Sequence, residues 1–480
     1  MSVYLCLAML PSIAVADPLG PNFCNMVEDD QTRAPSNPGH FLSDSEHAYG
    51  YIEGLQAMAW QNKPDYPHWT GSTEDREKLR KLLEDLDKRD PGDKATAGSY
   101  AATFDAMVKR LSRAMPTRYE DPNSIALMCT AGRLVEAEIV KDVPAFDLPY
   151  LGTLPTPTLN AMARSVPGET TEFVVVNSSL FLFAHELGKI GLATVDIEAQ
   201  GDKIAIDTSD ALFNRLRKDP DFLVRTSKFF EDYAKQRKIV AHARPRAFDD
   251  HLLNALDIGL EAFVIGHEFA HIVLHHTSRD RDAISGFGQQ TSSSDATIRK
   301  LWGEEAVADL YSTAIVQRIA LDKFRQSING SIDDELGEFV RYAPVLFFQW
   351  SEQADVSRYV FEHGAAPPVP AEKDRSAILG FLSSALDAQM KTIDTTTMRP
   401  LPPREEESAP PIVRKIGDHP PTWARKMLVQ DYWQSHAPAP KDEAEISLGA
   451  VAVAMGNHVE SLWSDIQPLW IRIESNTLEK

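Results

Sequence analysis

The chain has 480 residues, 43% of them hydrophobic and 25% charged, the composition of an ordinary globular protein with material for about two to three domains. Its 49 Lys and Arg against 70 Asp and Glu leave a formal net charge of -21. That balance argues against nucleic acid as the main partner, because binding phosphate needs a basic footprint. Three scattered cysteines exclude a cysteine-built zinc finger.

Residues 1–16 (MSVYLCLAMLPSIAVA) are apolar and uncharged, and they close on Ala14-Val15-Ala16. This is the A-x-A pattern of a secretory signal peptide, here without a basic segment ahead of it. It predicts an exported protein, periplasmic or secreted; without that signal the protein is cytoplasmic. Cleavage would remove Cys6 and leave Cys24 and Cys129, a pair compatible with one disulfide or with two separate buried thiols. No other run approaches the roughly 18 apolar residues of a membrane span, so no integral span is expected.

Residues 17–165 read as an N-terminal, mostly helical region. Its first part, 17–70, is polar and turn-rich. Residues 74–89 place Leu79, Leu82, Leu83 and Leu86 at helical spacing in a charged surface helix that Pro91-Gly92 ends. Two more amphipathic helices are predicted at 99–115 and 124–140, and 143–169 reads as a loop punctuated by five prolines. Residues 171–176 (TEFVVV) form the clearest strand, and Asn177-Ser178-Ser179 supplies N-cap chemistry for a helix over 180–188. A shorter strand is predicted at 203–206. From 220 onward the chain is mainly helical, and 252–274 is apolar on nearly every face, which marks a helix at the centre of a domain. A Ser- and Gly-rich surface loop follows at 278–296. Further helices are predicted at 306–320, 339–359 and 445–471, with Pro-rich linkers or ordered loops at 364–373 and 398–421. The expected fold is mainly α (α+β), with a small sheet. A second domain would span 166–435 and a C-terminal helical segment 436–480.

The chemistry is concentrated in His267-Glu268-Phe269-Ala270-His271, the pattern HExxH. On a helix, positions i and i+4 share a face, so both imidazoles reach one ion. Glu268, one residue on, sits beside the metal, where a carboxylate can take a proton from a metal-activated water. The triad interrupts an apolar helix, where two histidines and a carboxylate are costly unless paired or metal-bound. A third ligand is still required. Thr277 stands where a metzincin would place its third histidine. His275 lies too far along the helix and His276 is expected to point elsewhere, both as histidines favoured by the helix C-terminus. Glu305 and Asp309 are one turn apart on a second helix. Glu305 can complete the shell while Asp309 accepts a ring N–H of a ligand histidine. Glu304 would face about 100° away and is expected on a solvated face.

These motifs resemble those of the gluzincin metallopeptidases, particularly the HtpX-like group and the related prenyl-protein endopeptidases. HEFAH is followed by Glu305-Ala306-Val307-Ala308-Asp309 (ExxAD), and then by His419-Pro420-Pro421-Thr422-Trp423-Ala424-Arg425, which is similar to the HPP…R segment of that group. The likeness covers roughly 170–435, with Lit-type and ImmA-like peptidases as neighbouring possibilities. It implies one Zn2+ held by His267, His271 and Glu305. It also places His419 and Arg425 near the active site, contacting substrate or steadying the oxyanion and the ligands. The strand at 171–176 would offer its edge to a peptide by β-augmentation.

Among other candidates, His185-Glu186 begins a second HExxH, but Lys189 replaces the second histidine, and the pair reads as a helix end. The expected activity is hydrolysis of a peptide bond in a protein or peptide substrate, with an inactive, peptide-holding relative as the alternative.

Overall fold

The computed structural model describes residues 23–24, 41–44, 46–62, 77, 80–81, 84, 115–120, 122–200, 203–207, 210–235, 247–277, 294–324, 332–394, 399–400, 409–416, 419–436 and 443–478. The signal-like segment 1–16, all but Met115 of the helix expected at 99–115 and most of the loop at 278–296 lie outside these residues; of 74–89, only Glu77, Arg80, Lys81 and Glu84 are described, each helical. The described chain is mainly helical with a small three-stranded sheet. By its contacts it divides into two units, 1–133 with 147–181, and 134–146 with 182–480.

In the first unit, helix α1 (His47–Asn62) packs on a sheet of β1 (Tyr150–Leu154), β2 (Ala161–Ser165) and β3 (Glu172–Asn177). The strand read at 171–176 is β3, and it is central: β1 pairs with it in parallel and β2 antiparallel. Both edges of β3 are therefore occupied, which removes the expectation that it accepts a peptide by β-augmentation. The two flanking strands fall in the stretch expected to be loop. They are five residues long, and their ladder hydrogen bonds come from β3 rather than from any local pattern. Cys24 and Cys129, the latter on α2 (Pro122–Asp142), form a disulfide in this unit. Glu120 is buried and fully answered, accepting from Gln56, the Thr153 amide and the Thr153 hydroxyl.

The second unit is a helical assembly. Helix α3 (Ser178–Ala193) leads into a hairpin of β4 (Asp196–Gln200) and β5 (Lys203–Asp207), then α4 (Asp210–Leu216) and α5 (Pro220–Ala234). Helix α5 starts as its sequence dictates: Pro220 occupies the first turn, and the Asp219 carboxylate accepts from the amides of Asp221 and Phe222. The long helices α6 (Ala247–Val273), α7 (Asp295–Phe324) and α8 (Ile332–His363) pack mutually. Helix α9 (Glu372–Thr392) lies on α7. After the short pair β6 (Ile393–Asp394) and β7 (Arg399–Pro400) come α10 (Pro411–Ile416), then α11 (Thr422–His436) and α12 (Glu443–Leu478), the last two against α8. Leu252, Leu256, Leu260, Phe263, Ile265 and Phe269 of α6 are all buried. At roughly 1.5–3 kcal/mol each for full burial, they supply the driving force that carries the polar groups of the same helix inward. Among the described residues no helix is long and apolar enough to cross a membrane.

Candidate metal centre

Helices α6 and α7 bring the candidate ligands together. Gly266 allows this approach: a Cβ there would stand 2.6 Å from Ser312 Oγ, and that hydroxyl donates to the Phe263 carbonyl across the helix pair. One residue on, His267 and His271 present their rings from successive turns of α6, while Glu305 and Asp309 do the same from α7. All four are buried.

The distances among the inward atoms test whether a metal fits. His267 Nε2 lies 3.1 Å from His271 Nε2, and Glu305 stands 3.4 Å from the first and 3.6 Å from the second. The contact with His267 runs to Glu305 Oε2 and that with His271 to Oε1, and all three separations are near the roughly 3.3 Å expected between neighbouring donors on one small metal ion. Among the described residues, His267, His271 and Glu305 are a buried group able to hold a metal ion. The ring nitrogens behind them are also engaged. His267 Nδ1 lies 2.9 Å from Asp309 Oδ1, close enough for an ion pair yet outside hydrogen-bond alignment, so the contact acts through charge more than direction. Asp309 in turn receives both arms of Arg425, from Nε at 2.8 Å and Nη2 at 2.6 Å. The guanidinium also stacks over Phe348.

The electrostatics call for a cation between the donors. Burial alone would lower the His267 pKa, but the Asp309 and Glu305 contacts override it and push it up to about 10. Burial would likewise raise Glu305, yet His267, then His271 and Arg425, hold it well below the usual carboxylate range. The pocket thus favours one positive charge, which either a proton or a divalent ion can supply.

Glu268 is buried beside His267 on α6, turned about 100° from it around the helix. His419, in the segment leading into α11, places Nδ1 3.6 Å from Glu305 Oε1 while its side chain stays 70% exposed. Arg425 lies behind the ligands: its guanidinium holds Asp309 and reaches to 3.5 Å from Glu305.

His276 lies outside the metal-capable group but is buried behind it, with Nδ1 3.0 Å from His271 Nδ1. Two expectations need correction. Glu304 is buried, not solvated, because α7 is enclosed by α6, α8 and α9. His185 and Glu186 sit within α3, not at its end. His185 pairs with Asp257 at 2.7 Å, and Glu186 pairs with Lys189 at 2.7 Å, all four side chains buried. Only a tertiary partner on α6 reveals that cluster. Sequence reading also missed Gln389 of α9, whose amide nitrogen lies 3.2 Å from His276 Nε2.

No protein-family model matches the chain, and neither a curated protein nor a solved structure matches it.

Proposed function

We propose that the protein is a zinc-dependent metalloendopeptidase of the gluzincin type, in which His267, His271 and Glu305 hold one Zn2+ and Glu268 is the general base. The reading is carried by one observation: two imidazoles and a carboxylate converge in a buried group able to hold one metal ion, with a further carboxylate next to the first ligand on the same helix. When bound, zinc supplies a Lewis acid that polarises the scissile carbonyl and brings the pKa of water near neutrality.

The chain's own groups do the rest. Glu268 takes one proton as the water oxygen bonds to the carbonyl carbon. It then gives that proton to the departing amide nitrogen as the C–N bond breaks, so the carboxylate is regenerated. Asp309 keeps the His267 proton on Nδ1, leaving Nε2 as a lone pair. Arg425 balances the second carboxylate. His419, exposed beside Glu305, is the group placed to meet a bound peptide from the solvent side. The Cys24–Cys129 disulfide supports an oxidising compartment, in keeping with the export pattern at 1–16.

The test is digestion of casein or a peptide library, paired with elemental analysis. Wild type should carry about one zinc per chain and lose activity with chelator, and His271→Ala should lose the metal. Glu268→Gln should keep zinc while activity falls by about 10²–10⁴-fold. Full activity in Glu268→Gln, or iron in place of zinc, overturns the mechanism. Peptide binding without cleavage by the zinc-loaded wild type would favour a peptide-holding protein instead.

A further inference from the structure

We infer that His276 and Gln389 form a positioning pair that selects the metal-binding tautomer of His271, an inference that rests on the zinc reading above. The geometry begins at the end of α6. His275 adopts a left-handed conformation with φ of 57°, the one positive φ outside glycine among the described residues. Around it the backbone closes a Schellman turn: the His276 amide donates to the His271 carbonyl at 2.7 Å, and the His275 amide to the Ile272 carbonyl at 3.0 Å. Glycine is the usual residue at that position, because a Cβ crowds the left-handed conformation. The turn folds the chain back, so the His276 ring lies buried against His271 instead of continuing up the helix. The ring centroids are 5.2 Å apart, edge to face.

The second half of the pair comes from α9. Gly303 of α7 lets that helix close in: a Cβ there would stand 2.6 Å from the Ala385 carbonyl oxygen and 3.1 Å from Gln389 Cβ. Through this close approach the Gln389 amide reaches His276 Nε2.

Proton accounting then links the four groups. A metal takes the lone pair of His271 Nε2, so the ring's one proton must sit on Nδ1. That N–H faces His276 Nδ1, which must accept and therefore carries its own proton on Nε2. His276 Nε2–H can then donate to the Gln389 carboxamide oxygen after a half-turn that exchanges its oxygen and nitrogen. With the amide nitrogen toward His276, the same chain of bonds runs in the opposite sense and leaves the His271 proton on Nε2, where it blocks ligation. Both arrangements hold the same number of protons, and the amide of Gln389 decides between them.

The experiment measures zinc affinity of the full-length chain by competition with a chromophoric chelator, alongside the thermal midpoint of the metal-free protein. His276→Phe preserves ring volume and removes the acceptor, and affinity should fall about 10–100-fold. His276→Asn places a side-chain oxygen near the position of Nδ1 and should recover most of that loss despite its poorer packing. Gln389→Leu should weaken binding in the wild-type background and have little further effect in His276→Phe, because it acts through the ring. If Phe binds as tightly as wild type, or if Asn loses as much as Phe, the positioning role is wrong; the ranking Phe above Asn would mark a packing role. If wild type itself binds no zinc, the metal reading fails instead. Should a His276 variant not fold, Gln389→Leu alone decides, since unchanged affinity there overturns the pair.

Discussion

Glu261 illustrates what burial does to a carboxyl on a helix otherwise filled with leucine and phenylalanine. It lies one turn from Asp257 on α6; burial first, and then the Asp257 charge, push its pKa well above the usual carboxylate range. The folded state therefore holds this proton more tightly than the unfolded chain. The resulting stability is fully present below the unfolded pKa of about 4.3 and is lost as pH rises through the folded value. Glu261→Gln keeps the shape and removes the ionisation. The variant should match wild type near pH 4 and exceed it by a few degrees in thermal midpoint near pH 8. Melting curves across that range check this, and a difference that does not change with pH would remove burial of the charge as its cause. At this scale the ligands were readable because i,i+4 spacing is a local property of any helix, so His267 with His271 and Glu305 with Asp309 announce themselves. The placement of His276 was not readable, since it follows from a left-handed His275, a conformation uncommon for any residue but glycine. His185 and Asp257 are 72 residues apart, and nothing in either local sequence names the other.

At the level of elements, the candidate site depends on how closely helices approach. The contact of α7 with α9 is walled by Ile298, Trp302, Ala306, Ile378, Phe381, Leu382 and Ala385, and Gly303 sits close against the Ala385 carbonyl. Gly303→Ala would drive a methyl group into the Ala385 carbonyl, a backbone atom that cannot rotate away. Overpacking of this kind costs about 1–3 kcal/mol. The gain in helix propensity from alanine, about 1 kcal/mol, offsets only part of it. Denaturant unfolding of the metal-free variant should show net destabilisation, and zinc affinity should drop with it as Gln389 moves off His276. Unchanged stability would mean that α9 yields freely at this point. The long helices α6, α7, α8 and α12 were legible from periodicity and length. The strands β1 and β2 were hidden among prolines, since a five-residue strand is defined by its neighbour as much as by its own residues. Glu304 was misjudged for a related reason: its angle on α7 follows from the sequence, but the presence of α9 on that side does not.

Across the whole chain, the site draws on residues far apart in sequence: two turns of α6, one stretch of α7 and the segment from His419 to Arg425. Motif order made this assembly legible, while the relation of the motifs in space came only with the helix packing. The Asp309 and Glu305 carboxylates favour a positive charge at His267, and the identity of that charge should set how stability responds to pH. In the metal-free protein that charge is the His267 proton, with a folded pKa of about 10 against roughly 6.5 in the unfolded chain. Its contribution is fully present below about pH 6.5 and is lost as pH rises toward 10. With zinc bound, the ion replaces the proton, and the folded state no longer depends on protonation of that ring. The gap in thermal midpoint between zinc-loaded and metal-free protein should therefore widen steadily from about pH 6.5 to about pH 10, with metal in excess adding about 2.7 kcal/mol at a hundredfold its Kd. Within that window zinc binding should also release about one proton from His267, measurable by calorimetry in buffers of different ionisation enthalpy. A constant gap together with no proton release would mean that His267 is neutral without metal, and that the Asp309 and Glu305 carboxylates do not govern its charge.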